Sequence, residues 1–234
     1  RASGRIADSP NYKWWVFLAI AVGLFLTVMD QSGVSIALPR IADHFAVDIP
    51  TVQWITLGYT LCTSVMLMPM GRLADMIGRK RVLVGGLLIF ISAAAFGGSA
   101  QVYYVLITAK IVQGVGAAAI QANSMATIAE AFPEHERGKA LGMYSTIIGT
   151  GSISGPIVGG LLVSGLGWRS VFFTAIPVGA IAVVATLAVL KDETPTSRDG
   201  AAGRNFDWTG AGLSSGALVS FLLACQGRRE SVPA

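Results

Sequence analysis

The sequence contains only two cysteines, Cys62 and Cys225, each isolated within or beside an apolar stretch. That scarcity excludes a disulfide framework and a thiolate metal centre. Charge is scarce as well: Asp, Glu, Lys and Arg supply 13% of the 234 residues, where soluble domains carry roughly 25%. No HExxH or Walker sequence occurs, so neither an HExxH metalloenzyme nor an ATP-driven pump has a supporting motif. The run Gln113-Gly114-Val115-Gly116-Ala117-Ala118-Ala119 imitates a dinucleotide-binding turn, but that reading requires a preceding strand and a soluble βαβ unit, both missing here. No catalytic residue, metal or organic cofactor is expected.

What the chain has in abundance is apolar surface. Hydrophobic residues reach 53% and mean hydropathy is +0.63, an excess that a soluble core cannot absorb. Spans of about 19–20 residues suffice for a helix to cross roughly 30 Å of hydrocarbon. Such spans fall near 14–39, 52–70, 82–100, 103–130, 141–164, 170–190 and 208–225. The first is longer than the usual signal-peptide core and no small-residue cleavage site follows it, so it reads as a retained helix. Between the second and third spans, the run Gly71-Arg72-Leu73-Ala74-Asp75-Met76-Ile77-Gly78-Arg79-Lys80-Arg81 reads as a loop with four cations. Lys and Arg beside helix ends resist translocation, which places this loop and the N-terminus on the cytoplasmic side. The inner segments then hold twelve cations and the outer segments four. The net charge of +4 therefore reflects topology, and no nucleic-acid partner is expected. Tyr12, Trp14, Trp15, Trp54, Tyr103, Tyr104, Trp168 and Trp208 lie near span ends, where amphipathic rings anchor among headgroups.

Residues 1–13 thus read as a cytoplasmic segment, 14–190 as a six-helix transmembrane bundle, 191–207 as a polar cytoplasmic linker, 208–225 as a seventh span and 226–234 as a truncated tail. An odd last helix at a bare terminus leads to the expectation of a truncated protein, and the opening Arg1 in place of Met to a missing native start. Shifting the chain by 89 places Gly71, Leu73, Gly78 and Val82 on Gly160, Leu162, Gly167 and Val171. A three-helix offset reverses sidedness, as in transporters built from inverted repeats.

Two charges lie inside spans. Asp30 shares a helix face with Gly23, Thr27, Gly33 and Ala37, a small or polar stripe suited to facing protein. An unpaired charge at a helix centre costs about 2.5–3.5 kcal/mol even on the lower scales. Lys110, in the fourth span, heads a stripe with Gln113, Gly114, Ala117, Gln121 and Ser124. At 1.5 Å per residue both charges lie about 12–14 Å from the outer ends of their spans, so the two can meet. Desolvation favours their neutral forms and mutual attraction their charged forms, which allows either a proton switch or a permanent pair fixing two helices. In the fifth span Gly151, Gly155 and Gly159 line one face at four-residue spacing, with Pro156 and Gly160 adjoining. These residues predict close helix packing with a bend.

At this point the residues resemble a family, the major facilitator superfamily, and within it the fourteen-span drug:proton antiporters. Gly71 to Arg81 is similar to the family's cytoplasmic loop signature G-x-L-a-D-r-x-G-R-K-x-x-l. Met29 to Pro39 resembles its first-span L-D-x-T-V-x-N-V-A-L-P, with the acid at Asp30. Gly151 to Gly160 resembles the antiporter motif G-x-x-x-G-P-x-x-G-G. Segments Trp168 to Gly179 and Phe206 to Gly210 resemble the starts of the sixth and seventh spans. The fourth-span motif matches at Gln113, Gly114 and Gly116, but Lys110 stands where the family carries Arg. Unlike Arg, a buried Lys can lose its proton.

The resemblance implies the N-terminal half of an all-α major facilitator fold, made of two inverted three-helix repeats plus one further span. It implies export of amphiphilic small molecules in exchange for protons by alternating access, with Asp30 and Lys110 coupling protonation to conformation. Gly71, Asp75, Gly78, Arg79 and Lys80 would form a gate with Glu130 and Arg137, Asp75 reaching a helix N-terminus in a C-terminal half that this chain lacks. Substrate contacts are expected from Thr27, Tyr59, Gln113 and Gln121, polar or aromatic groups on bundle faces. The setting would be a bacterial inner membrane, with the lipid bilayer around a multi-pass protein whose N-terminus is cytoplasmic. Two alternatives stay open: an exporter of a metabolite or lipid, and a non-transporting membrane fragment with an assembly or regulatory role.

Overall fold

The computed structural model describes residues 11–190. The expected linker 191–207, seventh span 208–225 and tail 226–234 lie outside the described residues, as does most of segment 1–13. Six long helices account for most of what is described: α1 (Tyr12–Phe45), α2 (Trp54–Ile77), α3 (Arg79–Gly98), α4 (Tyr103–Ala131), α5 (Arg137–Leu166) and α6 (Arg169–Val189). A single helical turn at Ile49–Val52 precedes α2, and a 3-10 turn at Glu134–Glu136 leads into α5. Five of the six, all but α2, are long and apolar enough to cross a membrane. At 1.5 Å per residue α2 measures about 36 Å, also long enough, but its threonines and charged last turns dilute its apolarity.

Two boundaries differ from the sequence-based expectation. The run Gly71 to Arg81 is not a loop: α2 continues to Ile77 and α3 begins at Arg79, with Gly78 alone breaking the helix at φ 98° and ψ 135°. Charge made this stretch look like a loop, yet Leu, Ala, Met, Arg and Lys are good helix formers. Likewise α1 runs through Pro39 to Phe45 and ends at Ala46, whose φ is 51°. Hydropathy closed that span at 39 because Arg40, Asp43 and His44 are polar, but a helix can outlast its apolar segment, and Pro39 removes only one donor from the ladder.

The packing has an internal symmetry. Helix α1 lies along α5 and α6, α4 lies along α2 and α3, α1 crosses α4, and α3 lies on α6. Replacing every helix by the one three places away reproduces the same set of neighbours. Gly78 and Gly167 (φ 85°) are the only glycines with positive φ among the described residues. They stand 89 residues apart at the echoed positions, each breaking one helix from the next, and Val82 and Val171 are both buried. The inverted repeat is thus present in backbone conformation as well as in sequence.

The core divides along the helices. One apolar cluster gathers Phe17, Leu26, Leu87, Phe90, Ile120 and Ala175; the other gathers Val34, Ile41, Ile55, Leu106, Trp168 and Phe172. On α1 the boundary falls between Leu26 and Val34, and on α4 between Leu106 and Ala117.

The backbone at Gly78 and Gly167 belongs to a region that side-chain-bearing residues reach only at about 1–3 kcal/mol. Gly78→Val and Gly167→Val are each expected to lower the unfolding free energy by that amount in mild detergent. Gly142→Ala, inside α5 with nothing within 4 Å of the new methyl, is expected to raise it by roughly 0.5–1 kcal/mol.

Candidate functional site

The boundary between the two clusters is where the buried charges lie. Asp30 on α1 and Lys110 on α4 are 3% and 2% exposed, and Lys110 Nζ donates to Asp30 Oδ2 at 2.8 Å. Lys110 Nζ also lies 4.8 Å from the ring centroid of Phe172 on α6 and 5.5 Å from that of Tyr59 on α2. One ammonium thus has a carboxylate and two aromatic faces around it, contributed by three other helices. Such cation–π contacts contribute about 2 kcal/mol or more when desolvated. The second carboxylate oxygen, Oδ1, has no hydrogen-bond partner, and neither do the two amide atoms of buried Gln113, one turn along from Lys110. An acceptor and an amide without partners leave the site able to take up a proton or a polar ligand group.

Close helix contacts hold this site from both sides. On the α1–α5 face a side chain at Gly155 would collide with the Ser32 hydroxyl and approach Met29 O to 2.8 Å. One at Gly159 would come within 2.9 Å of Gly33 Cα, and one at Gly151 within 3.0 Å of Val28. Ser32 Oγ, whose hydroxyl donates to Val28 O at 2.7 Å, also lies 3.3 Å from Gly151 O across the same contact. The equivalent α4–α2 face repeats the device: Gly114 lies against Tyr59 O, where a Cβ would approach to 2.8 Å, and Thr63 Oγ1, which donates to Tyr59 O at 2.8 Å, also lies 3.2 Å from Gly114 O. Gly116 faces Gly86 O on α3, 2.7 Å from where its Cβ would be. Gly160 and Gly71 do not share this role, since Gly160 faces open space and the nearest atom to a Cβ at Gly71 is Ala122 Cβ at 3.9 Å. Pro156 sits inside α5, which stays helical through it.

At the far end of α2 the charged residues do assemble. Arg79 Nη1 lies 2.8 Å from Glu130 Oε2, joining α3 to the end of α4, and Nη2 lies 3.5 Å from Asp75 Oδ1. The Asp75 side chain is 69% exposed, with one side open. Lys80 is half-buried one residue further on. Arg137 stays apart from this group: its Nε donates to Ala129 O at 3.0 Å and Nη1 approaches Glu134 at 3.8 Å. Nearby, Lys13 Nζ donates to Glu136 Oε2 at 2.5 Å and ties the start of α1 to the α4–α5 connection. That hydrogen bond, with the charges of Lys13, His135 and Lys139, holds the Glu136 carboxyl below its ordinary value.

Of the expected substrate contacts, Tyr59 and Gln113 adjoin the Lys110 pair and Gln121 is half-buried two turns along α4. The Thr27 hydroxyl donates to Leu24 O, which occupies its donor on its own helix. Sequence reasoning missed Phe172, Ser32 and Thr63. Ser32 falls inside the first-span motif and Thr63 one turn from Tyr59, but a phenyl ring facing an ammonium from 62 residues away leaves no sequence signal.

Removing one partner of a buried pair strands the other, at about 3–5 kcal/mol. Lys110→Met is expected to lower stability by that much, and the double variant Asp30→Asn/Lys110→Met to recover most of it, read by denaturant unfolding in detergent. For Glu136 the depressed value means stability present above the ordinary Glu range, about 4.3, and lost as pH falls through the lower folded-state value. Glu136→Gln is expected to flatten this acid-side loss in a pH series of unfolding midpoints.

The sequence profile described as Major Facilitator Superfamily matches residues 20–227. The chain is 36% identical over 206 residues to the tetracenomycin C resistance and export protein of Streptomyces glaucescens, covering 88% of this chain and 37% of that protein. To the riboflavin transporter RibZ of Clostridioides difficile it is 32% identical over 212 residues, covering 91% and 46%. Among solved structures, a bacterial homolog to the human lysosomal transporter Spinster, inward-facing and occupied, superimposes with a TM-score of 0.71 at 21% identity, over 82% of this chain and 47% of that one. The chain therefore spans less than half the length of these relatives. With a six-helix bundle, an inverted repeat and a matching profile over most of its length, this multi-pass membrane protein belongs to the Major Facilitator Superfamily and has the architecture of an N-terminal half of that fold.

Proposed function

We propose that this chain is half of a transporter, not an enzyme, and exports amphiphilic small molecules in exchange for protons by alternating access. The observation that carries this reading is the buried Asp30–Lys110 pair, with one carboxylate oxygen unpartnered and the ammonium between two aromatic rings. Intramembrane ionisable groups are costly and mark ion or proton pathways. Protonating Asp30 would turn the salt bridge into a neutral–cation contact and free α1 to shift against α4. The α1–α5 glycine contact, with Pro156 inside it, supplies an interface close enough to transmit that shift. Arg79, Asp75 and Glu130 would latch the cytoplasmic end, with the open side of Asp75 meeting a helix N-terminus in a second helical half. Gln113, Gln121 and Tyr59 are the residues we assign to substrate contact.

In this reading the N-terminus and the Gly71–Arg81 stretch face the cytoplasm of a bacterium, 191–207 is a linker and 208–225 a seventh span of a fourteen-span protein. The relative named for tetracenomycin C resistance and export supports an exported small-molecule substrate. The relative named for riboflavin transport supports a second reading, export of a heteroaromatic metabolite by the same machinery.

The test is exchange in proteoliposomes of the full transporter. Asp30→Asn is expected to abolish uptake driven by a pH gradient, more than tenfold below wild type, while substrate counterflow at equal pH continues. Wild-type gradient-driven uptake in Asp30→Asn would overturn the reading. A panel of cationic dyes and flavins in the same assay separates the two substrate classes.

A further inference from the structure

We propose that protons reach Asp30 along the groove between α1, α5 and α6, with His44 as the relay at its mouth; this rests on the reading of Asp30 as the proton-coupling group. Two cavities lie in that groove. The outer one, about 470 Å³, is lined by Arg40, Asp43, His44, Ser164 and Trp168 among others. The inner one, about 10 Å³, is lined by Asp30, Gly33, Gly159, Leu162, Val171 and Thr174 among others, and approaches the size that holds a single water.

Both cavities lie between α1 and α5, the inner one also reaching α6 through Val171, Thr174 and Ala175 and the outer one the α5–α6 connection at Gly167 and Trp168; on α5 Leu162 lines the inner one and its neighbour Val163 the outer. On α1 the residues Asp30, Gly33, Ala37, Arg40 and His44 form one stripe at spacings of three and four, so small side chains separate the carboxylate from the mouth. Lys110 is absent from the lining of the inner cavity and holds Oδ2 from the α4 side. Oδ1, the oxygen without a partner, is therefore the one available to a proton arriving through the groove. Between the two levels on α1 stands Ala37, which is buried and lines neither cavity, so a proton passing from one cavity to the other requires the helices to part there.

At the mouth, His44 Nε2 lies 3.4 Å from Arg169 Nη2, which also donates to Ala100 O at 3.1 Å. That contact requires the neutral imidazole with Nε2 unprotonated. Other charged or titratable groups around the mouth are Arg40 and Asp43 on α1 and Asp48 in the connection, with Tyr103 on α4 beyond Phe45; around Asp30 they are Lys110 and Tyr59. Of these only the His44 imidazole offers two ring nitrogens, one able to accept a proton while the other releases one. A hydronium ion gives its proton to Nε2, and the imidazolium repels Arg169 and opens the mouth. The proton then returns to water in the groove and ends on Oδ1 as a neutral carboxylic acid. Lys110 keeps its own proton throughout, and no electrons are transferred.

Proteoliposomes of the full transporter with an internal pH dye test the route. His44→Gln and Ser164→Trp, the latter at an exposed position in the mouth, are expected to slow gradient-driven exchange about tenfold relative to counterflow. His44→Gln is also expected to alter the shape of the pH profile of the exchange rate. Leu161→Trp, on the exposed side of α5 and 70% exposed, is the control that keeps the wild-type rate. Val163→Cys is expected to react with a small water-soluble methanethiosulfonate applied from the mouth side. If Asp30→Asn abolishes proton drive while His44→Gln and Ser164→Trp keep the wild-type profile, or if Val163→Cys stays unlabelled, the route is overturned and the role of Asp30 stands. If Asp30→Asn keeps proton drive, the role of Asp30 falls and the route falls with it.

Discussion

The rest of this structure depends on burying one ion pair in an apolar bundle. Neither Asp30 nor Lys110 can be desolvated alone, and even together their attraction offsets the lost hydration only when geometry is good and further partners are close. The 2.8 Å contact and the two rings over Lys110 Nζ meet that condition. Meeting it requires α1, α2, α4 and α6 to converge at one level. That level separates the two hydrophobic clusters, so the pair acts as a polar waist between two apolar bodies. A change in its charge would be felt by both.

The glycines follow from the same requirement. For four helices to converge on two side chains, their backbones must approach closely, as α4 and α2 do at Gly114, while α5 closes against the outer side of α1 at Gly155 and Gly159; at each a Cβ would collide with a neighbour. Ser32 and Thr63, each bonded to a carbonyl of its own helix, also bring their hydroxyls to 3.3 Å from Gly151 O and 3.2 Å from Gly114 O across the two equivalent interfaces. Without side chains to interlock, these contacts resist sliding less than packed Leu or Phe would. That difference is what would let α5 tilt against α1 in the transport cycle proposed above.

The symmetry is uneven in its chemistry. The repeats share helix neighbours and the positive-φ breaks at Gly78 and Gly167, yet one contributes an acid to the waist and the other a base. The first break is flanked by the ion pairs of Arg79, whereas after the second Arg169 contacts a histidine and a carbonyl. A scaffold copied twice thus carries different electrostatics at its two ends and its centre.

How much of this was legible in the sequence depends on the range of the interaction. Hydropathy located the six described helices because crossing a membrane demands a local apolar run of fixed length. It misjudged the ends of α1 and α2 because it measures solubility in lipid, while a helix persists as long as its backbone bonds do. The intramembrane charges were visible as exceptions to composition, and comparable depths along their spans made their meeting foreseeable. By itself the sequence determined the membrane class, the six described helices, the inverted echo and the identity of the buried pair, since each rests on local composition or spacing. Only the tertiary structure decided that Phe172 and Tyr59 flank Lys110, that Arg137 stands outside the Arg79 cluster, and that His44 and Asp30 share a groove. Those contacts join residues far apart in the chain, and their energies exist only once the helices have packed.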